Sequence, residues 1–149
     1  MIIRVDVKDF DKVEKAMQEL IENVGKPFEK VLEGGGQEIR KEAVRSIQQD
    51  PKSGIVYQRY NPRRRHQSSA KGQSPASDTG FLVSQIKVRK KSADEVSVES
   101  TAPYSAFLEF GTSIMGERPF MHPAAVRSFP KITKAVFNAV VEKVKEFKI

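Results

Sequence analysis

The sequence predicts an α+β fold: N-terminal helices and a C-terminal helix packed on a small, mostly antiparallel β-sheet, with a long basic loop. Three observations predict it. Apolar residues recur at spacings of three and four near both ends of the chain, the mark of helices with one buried face. Two short runs in the middle, Ile86–Arg89 and Val96–Ser100, alternate apolar with polar residues, the period of a half-buried strand. The chain has 149 residues, a length that usually makes one domain with one core. A single domain over 1–149 is therefore expected, with 50–77 as a flexible arm.

The elements follow in order. Ile3, Val5 and Val7 alternate with Arg4, Asp6 and Lys8 and predict a short strand. Asp9 can cap a helix whose stripe is Phe10, Val13, Met17, Leu20, Ile21 and Val24. Gly25 and Pro27 predict a break, with Pro27 opening a second helix to about Gln48. The stripe of that helix is Phe28, Val31, Leu32, Gly35, Ile39, Ala43 and Ile47. Gly34-Gly35-Gly36 inside it reads either as a break, because each glycine costs about 1 kcal/mol against alanine, or as a close crossing, because Gly35 lies on the stripe. Residues 50–77 hold three prolines, two glycines and five serines and lack sustained periodicity, although Ile55, Val56, Tyr57 and Tyr60 allow one short ribbon. Asp78-Thr79-Gly80 reads as a helix start before Phe81–Gln85. The two alternating runs then form a hairpin around Ser92–Glu95. Pro103 opens a short helix through Tyr104, Phe107, Leu108 and Phe110 that Gly111 ends. After a loop, Pro123 or Pro130 opens the last helix, whose stripe is Phe129, Ile132, Val136, Phe137, Val140, Val144 and Phe147.

Charge is unevenly distributed. Lys plus Arg is 26 against 19 Asp plus Glu, a formal net charge of +7. Six of those basic residues, Lys52, Arg59, Arg63, Arg64, Arg65 and Lys71, fall between Pro51 and Ser77, a stretch without a single acid. The rest of the chain is nearly neutral. The absence of cysteine excludes disulfide scaffolds, thiol catalysis and cysteine-bound zinc or iron–sulfur centres. No apolar run approaches the roughly 18 residues that span a bilayer, and the charged, alternating start does not read as a signal peptide. No membrane partner is expected, and the default location is the cytoplasm of the producing cell.

No constellation for catalysis emerges. The two histidines, His66 and His122, lie far apart and lack the HExxH spacing of a zinc site, and no serine sits in a GxSxG elbow. Glu109 is the one acid flanked by aromatics, in Phe107-Leu108-Glu109-Phe110. It reads as an outward-facing residue, as a partner of Arg118, or as a buried acid serving a hydrolase. In the basic segment, Tyr57, Tyr60 and His66 stand among the cations. Three readings are open: a solvated loop, a nucleic-acid-binding module over 52–71 that holds phosphates and stacks bases, or an arm that orders against an acidic partner surface.

Two stretches together carry a resemblance. The first runs Gly54-Ile55-Val56-Tyr57, then His66–Ala76, then Asp78-Thr79-Gly80-Phe81-Leu82 and Ser84-Gln85-Ile86. The second is Ala102–Thr112, with Pro103, Tyr104, Phe107, Glu109, Phe110, Gly111 and Thr112, followed by Arg118-Pro119-Phe120-Met121-His122-Pro123-Ala124. They resemble the phage tail-component family typified by gene product 10 of phage Hong Kong 97. The sequence departs from it at Lys71, where proline is frequent, at Phe81, where a basic residue is frequent, and at the triple glycine, where an alanine-rich helix is usual.

The resemblance implies a non-enzymatic virion protein of a long-tailed phage or prophage, a tail completion or head–tail joining protein at the neck. It implies a ring of identical subunits, six-fold symmetry being one candidate, between the head connector and the tail-tube protein, with DNA passing through the lumen. It implies no cofactor and no metal, and places the protein in the virion and, during assembly, in the host cytoplasm. The motif residues are expected to serve mainly the fold, with Tyr104, Phe107, Phe110 and Phe120 burying large apolar areas and Gly111 in a left-handed conformation. The basic loop (Lys52, Tyr57, Arg59, Tyr60, Arg63, Arg64, Arg65, His66 and Lys71) is expected to meet a neighbouring subunit, the connector, the tail tube, or DNA.

Overall fold

Helix α1 (Lys8–Gln49) is a single element of 42 residues. It belongs to a computed structural model that describes residues 8–146, with residues 8–27 described by their backbone. The strand expected at Ile3, Val5 and Val7 lies outside the described residues. The expected break at Gly25 and Pro27 does not occur, since α1 runs through both. A proline there forfeits one hydrogen bond of the helical ladder and costs about 3 kcal/mol. Tertiary packing along the downstream half of α1 offsets that cost.

Two layers supply that packing. The hairpin of β3 (Ile86–Lys90) and β4 (Val96–Ser100) is antiparallel, with Val88 opposite Val98. It meets α1 on one side. Helix α4 (Met121–Glu146) runs antiparallel to α1 on another. Moving up α1 from Glu42 to Glu38 to Gly35, the α4 partners move down the chain from Arg127 to Lys131 to Ile132. A second hairpin, β1 (Val56–Tyr60) with β2 (Arg63–Gln67), stands apart from the first. Two short helices, α2 (Phe81–Ser84) and α3 (Ser105–Phe110), complete the fold. The α+β class is as expected, with the sheet divided into two two-stranded pieces.

The triple glycine is a crossing point. A Cβ on Gly35 would lie 3.0 Å from Cγ2 of Ile132, and one on Gly36 would lie 2.8 Å from Cγ1 of Val88 and 2.9 Å from Cγ1 of Val96. Gly34 faces open space. Gly35 and Gly36 thus let α4 and the hairpin approach the same turn of α1. Opposite outcomes are expected from neighbouring substitutions. Gly34→Ala stabilises by about 0.5–1 kcal/mol through helix propensity and a restricted unfolded chain. Gly36→Val destabilises by about 1–3 kcal/mol, because the β-branched valines it meets cannot rotate aside. Urea unfolding monitored by far-UV circular dichroism measures both.

The core gathers at the C-terminal end of α1. Ala43, Ile47, Leu82, Ile86, Ala102, Phe120 and Ala124 are buried, with Ile39, Val44, Val83, Val98, Leu108 and Met121 packed around them. Seven buried apolar residues make a small core among the described residues, and polar ties between elements supplement it. Arg40 Nε donates to the Ile86 carbonyl at 2.8 Å, tying α1 to β3. Lys131 pairs with Glu38 at 2.8 Å. Glu42 accepts from Arg45 at 2.7 Å and from Arg127 of α4 at 3.2 Å.

The Arg45 guanidinium, with help from Arg127, holds the Glu42 carboxyl down at about 2. A folded-state value below the unfolded one means a contribution present above pH 4.5 and lost as pH falls toward 2. Thermal melts of the protein therefore weaken across that window, and Glu42→Gln removes part of the acid dependence while lowering stability near neutrality.

The last helix departs from expectation in two ways. It begins at Met121, and neither Pro123 nor Pro130 opens it. Pro123 sits in the first turn, where no intrahelical donor is needed. Pro130 lies inside the helix on an exposed position next to solvent-facing Val126 and Phe129, so the carbonyl it leaves without a donor can be hydrated. The apolar stripe is also divided. Ile132 points at Gly35, while Phe129, Phe137 and Val144 face outward. Phe147 lies outside the described residues.

Candidate functional site

The basic segment contains an ordered two-stranded ribbon. Its register pairs Tyr57 with His66, Gln58 with Arg65, Arg59 with Arg64 and Tyr60 with Arg63. Directly opposed residues share a face and faces alternate along each strand. Tyr57, Arg59, Arg64 and His66 therefore line one face, and Val56, Gln58, Tyr60, Arg63, Arg65 and Gln67 the other. The first face turns toward Asp78. Arg59 Nη1 lies 2.9 Å from its carboxylate, Arg64 pairs with the same carboxylate and donates to the Asp78 carbonyl at 3.0 Å, and His66 Nδ1 stands 4.0 Å away. The base of the ribbon is zipped by the Gly54 and Ser68 amides, which donate to the Ser68 and Ile55 carbonyls.

The arginine triplet is thus separated by the pleat. Arg64 is clamped inward, while Arg63 and Arg65 project outward and form no ion pair among the described residues. Lys52 and Lys71 lie off the ribbon. Lys52 Nζ reaches the Ser46 carbonyl at 2.8 Å and the Ser74 hydroxyl, and burial pulls its ammonium below the usual lysine range. Lys71 stands 3.8 Å from Glu117.

Asp78-Thr79-Gly80 does begin a helix. Gly80 occupies the N-cap of α2 with φ 78°, and the Thr79 hydroxyl accepts from the Phe81 amide at 3.3 Å. Between this turn, the ribbon and α3 lies a cleft of about 310 Å³, lined by Tyr57, His66, Phe81, Tyr104, Leu108 and Met115 among others. Phe81 and Tyr104 stand on its rim with ring centroids 6.2 Å apart.

Glu109 has a role that none of the sequence readings contained. Its carboxylate accepts from the backbone amides of Phe120, Met121 and His122 at 2.9, 3.0 and 2.8 Å. These are the donors that open α4, and Pro123, next in line, has none. An anion at this position also complements the helix dipole. Glu109 is therefore the cap of a helix that starts twelve residues later, and it neither pairs with Arg118 nor stands free for hydrolysis. Arg118 instead donates to the Ser69 and Gly116 carbonyls, each at 3.2 Å, and its amide meets the Leu108 carbonyl. The Thr112 hydroxyl accepts from Met115 N at 3.0 Å and closes the intervening turn. Gly111 has φ 75° with ψ −175°, a conformation open essentially to glycine alone, though extended in ψ rather than left-handed helical as expected. Phe120 is buried and Pro119 half-buried.

The other motif aromatics correct the expectation of core packing. Phe107 is 56% exposed and Phe110 82% exposed, with Tyr104 and Pro103 also at the surface. Helix α3 contributes no buried residue. Phe81, whose ring lies beside Tyr104, and Ile114 are exposed as well, so α2, α3 and the following loop leave large apolar side chains uncovered. Apolar side chains are also uncovered along α4, at Val126, Phe129, Phe137 and Val144. The spacing that reveals an apolar stripe is silent about whether the subunit itself covers it, which is why the sequence reading assigned these residues to the core.

A small core, exposed apolar side chains on α2, α3 and α4, and a motif devoted to capping and turns are the features this geometry brings together. Among the described residues, no group of three or more His, Cys, Asp or Glu side chains is arranged to hold a metal ion, and no helix is long and apolar enough to cross a membrane. The family model "Bacteriophage HK97-gp10, putative tail-component" matches residues 11–111. The chain belongs to that family, and its role is that of a phage tail component. No curated protein and no solved structure matches it.

Proposed function

We propose that this protein is a tail completion or head–tail joining protein, assembling as a ring of identical subunits at the neck between the head connector and the tail tube. The observation that carries this reading is the two sets of uncovered apolar side chains, one on α4 and one on α2 and α3. A closed ring needs two different complementary patches on each subunit, a heterologous interface repeated until it closes. Exposed aromatic residues are the anchors such interfaces favour. The chemistry is assembly, without catalysis or cofactor, in the host cytoplasm and then in the virion.

Native mass spectrometry tests the ring. The full chain is expected to give one closed oligomer. Phe137→Asp and Phe107→Asp, each breaking one patch, are expected to give monomers. Mixed together, they should form a dimer and stop, because each supplies the patch the other lacks. An open ladder of sizes from the parent, or rings from either variant, contradicts the reading.

A further inference from the structure

We infer that the outward face of the β1–β2 ribbon is a docking strip for the phosphate backbone of duplex DNA, with Arg63 and Arg65 as the phosphate ligands and Tyr60 beside them. The inference concerns a single subunit and stands whether or not the ring closes.

Four observations point the same way. Arg63 and Arg65 lie two residues apart on one strand, so their Cα atoms are about 7 Å apart on one face. They have no ion partner among the described residues, whereas Asp78 engages Arg59 and Arg64 of the opposite face. No acid occurs between Pro51 and Ser77 to attenuate their field. The outward face of the ribbon is open: every residue of β1 is exposed, and in β2 only His66, on the face turned to Asp78, is partly covered.

Shape decides between nucleic acid and an acidic protein. Two strands of five residues make a strip about 17 Å long and one strand spacing, about 5 Å, between backbones. Duplex DNA presents its phosphates in continuous rows, which two arginines about 7 Å apart on an open strip can meet from outside the grooves. A stable protein interface needs about 800 Å² per partner with buried apolar anchors. This strip has only Val56 and Tyr60 for that purpose, and Tyr60, 80% exposed, sits at the tip.

The strip is sequence-independent in chemistry, so its signature is salt. Two phosphate contacts give a slope of log affinity against log salt of about −2. Fluorescence anisotropy of a labelled duplex of about 20 base pairs with the full-length protein measures it. The double variant Arg63→Gln/Arg65→Gln should bind about tenfold or more weakly at about 50 mM salt and show a slope shallower by about 2. The pair Lys134→Gln/Lys145→Gln removes the same charge from exposed positions of α4 and should stay within about twofold of the parent. No binding by the parent, or equal weakening by both pairs, overturns the inference. Polyglutamate bound as tightly as the duplex also overturns it, marking the strip as a dock for an acidic protein.

Discussion

Glu109→Ala is expected to destabilise the fold by about 2–4 kcal/mol. A hydrogen bond to a charged group contributes about 1.5–3 kcal/mol, and the loss of a helix cap alone costs about 0.5–2 kcal/mol. Three backbone amides converge on this one carboxylate, and the first of them belongs to Phe120, which is 1% exposed and a member of the core. Water can replace the bond at exposed His122 but reaches Phe120 poorly, so the penalty falls between one bond and the sum of three. For a chain of 149 residues this corresponds to a fall in Tm of about 10 °C. Glu109→Gln keeps an accepting oxygen without its charge and should lose about half as much. Thermal melts of both variants check the ordering, and an unchanged Tm in the alanine variant would remove the capping role.

Gly111→Ala carries a comparable expectation of about 2–4 kcal/mol. The φ of 75° with extended ψ costs any side-chain-bearing residue about 1–3 kcal/mol. The added Cβ would also lie 2.8 Å from the Met115 carbonyl oxygen and 2.9 Å from the Glu117 amide. Both are backbone atoms of a turn held by Thr112 and by the Arg118 amide on the Leu108 carbonyl, so they cannot yield cheaply. Moving that turn also moves Phe120 away from Glu109. The two substitutions therefore damage one device, and the double variant should cost less than their sum. Additive losses in chemical denaturation would show instead that cap and turn are independent.

Much of the fold could be read from local signals because its short elements have local causes. The β3–β4 hairpin follows from alternation on either side of a polar turn, and α3 ends where Gly111 stands. Helix α2 starts where Asp78-Thr79-Gly80 announces it. The misreadings share a different cause. Pro27 and Gly25 signal a break, yet α1 continues through both, because tertiary packing can outweigh a local breaker. The triple glycine was ambiguous between a break and a crossing until Ile132, Val88 and Val96 were in place around it. Glu109 acts across eleven residues of sequence on a helix whose own start carries no capping side chain, so its partner was invisible to spacing. The aromatic residues of α3 and the outward stripe of α4 have core composition without core burial, a distinction that spacing alone does not carry.

The site is similarly divided. Composition located the basic segment, but the pleat decides which cations are free. Register turns Arg59, Arg64 and His66 to Asp78 and leaves Arg63 and Arg65 outside. A motif residue, Asp78, thus orients the segment expected to meet partners.

Electron microscopy of lysates from a phage or induced prophage lacking this gene tests the neck assignment most directly. The account predicts DNA-filled heads and separate tails, with joined particles restored by the parent gene and not by a variant that carries Phe137→Asp. Joined, infectious particles assembled without the protein would contradict it.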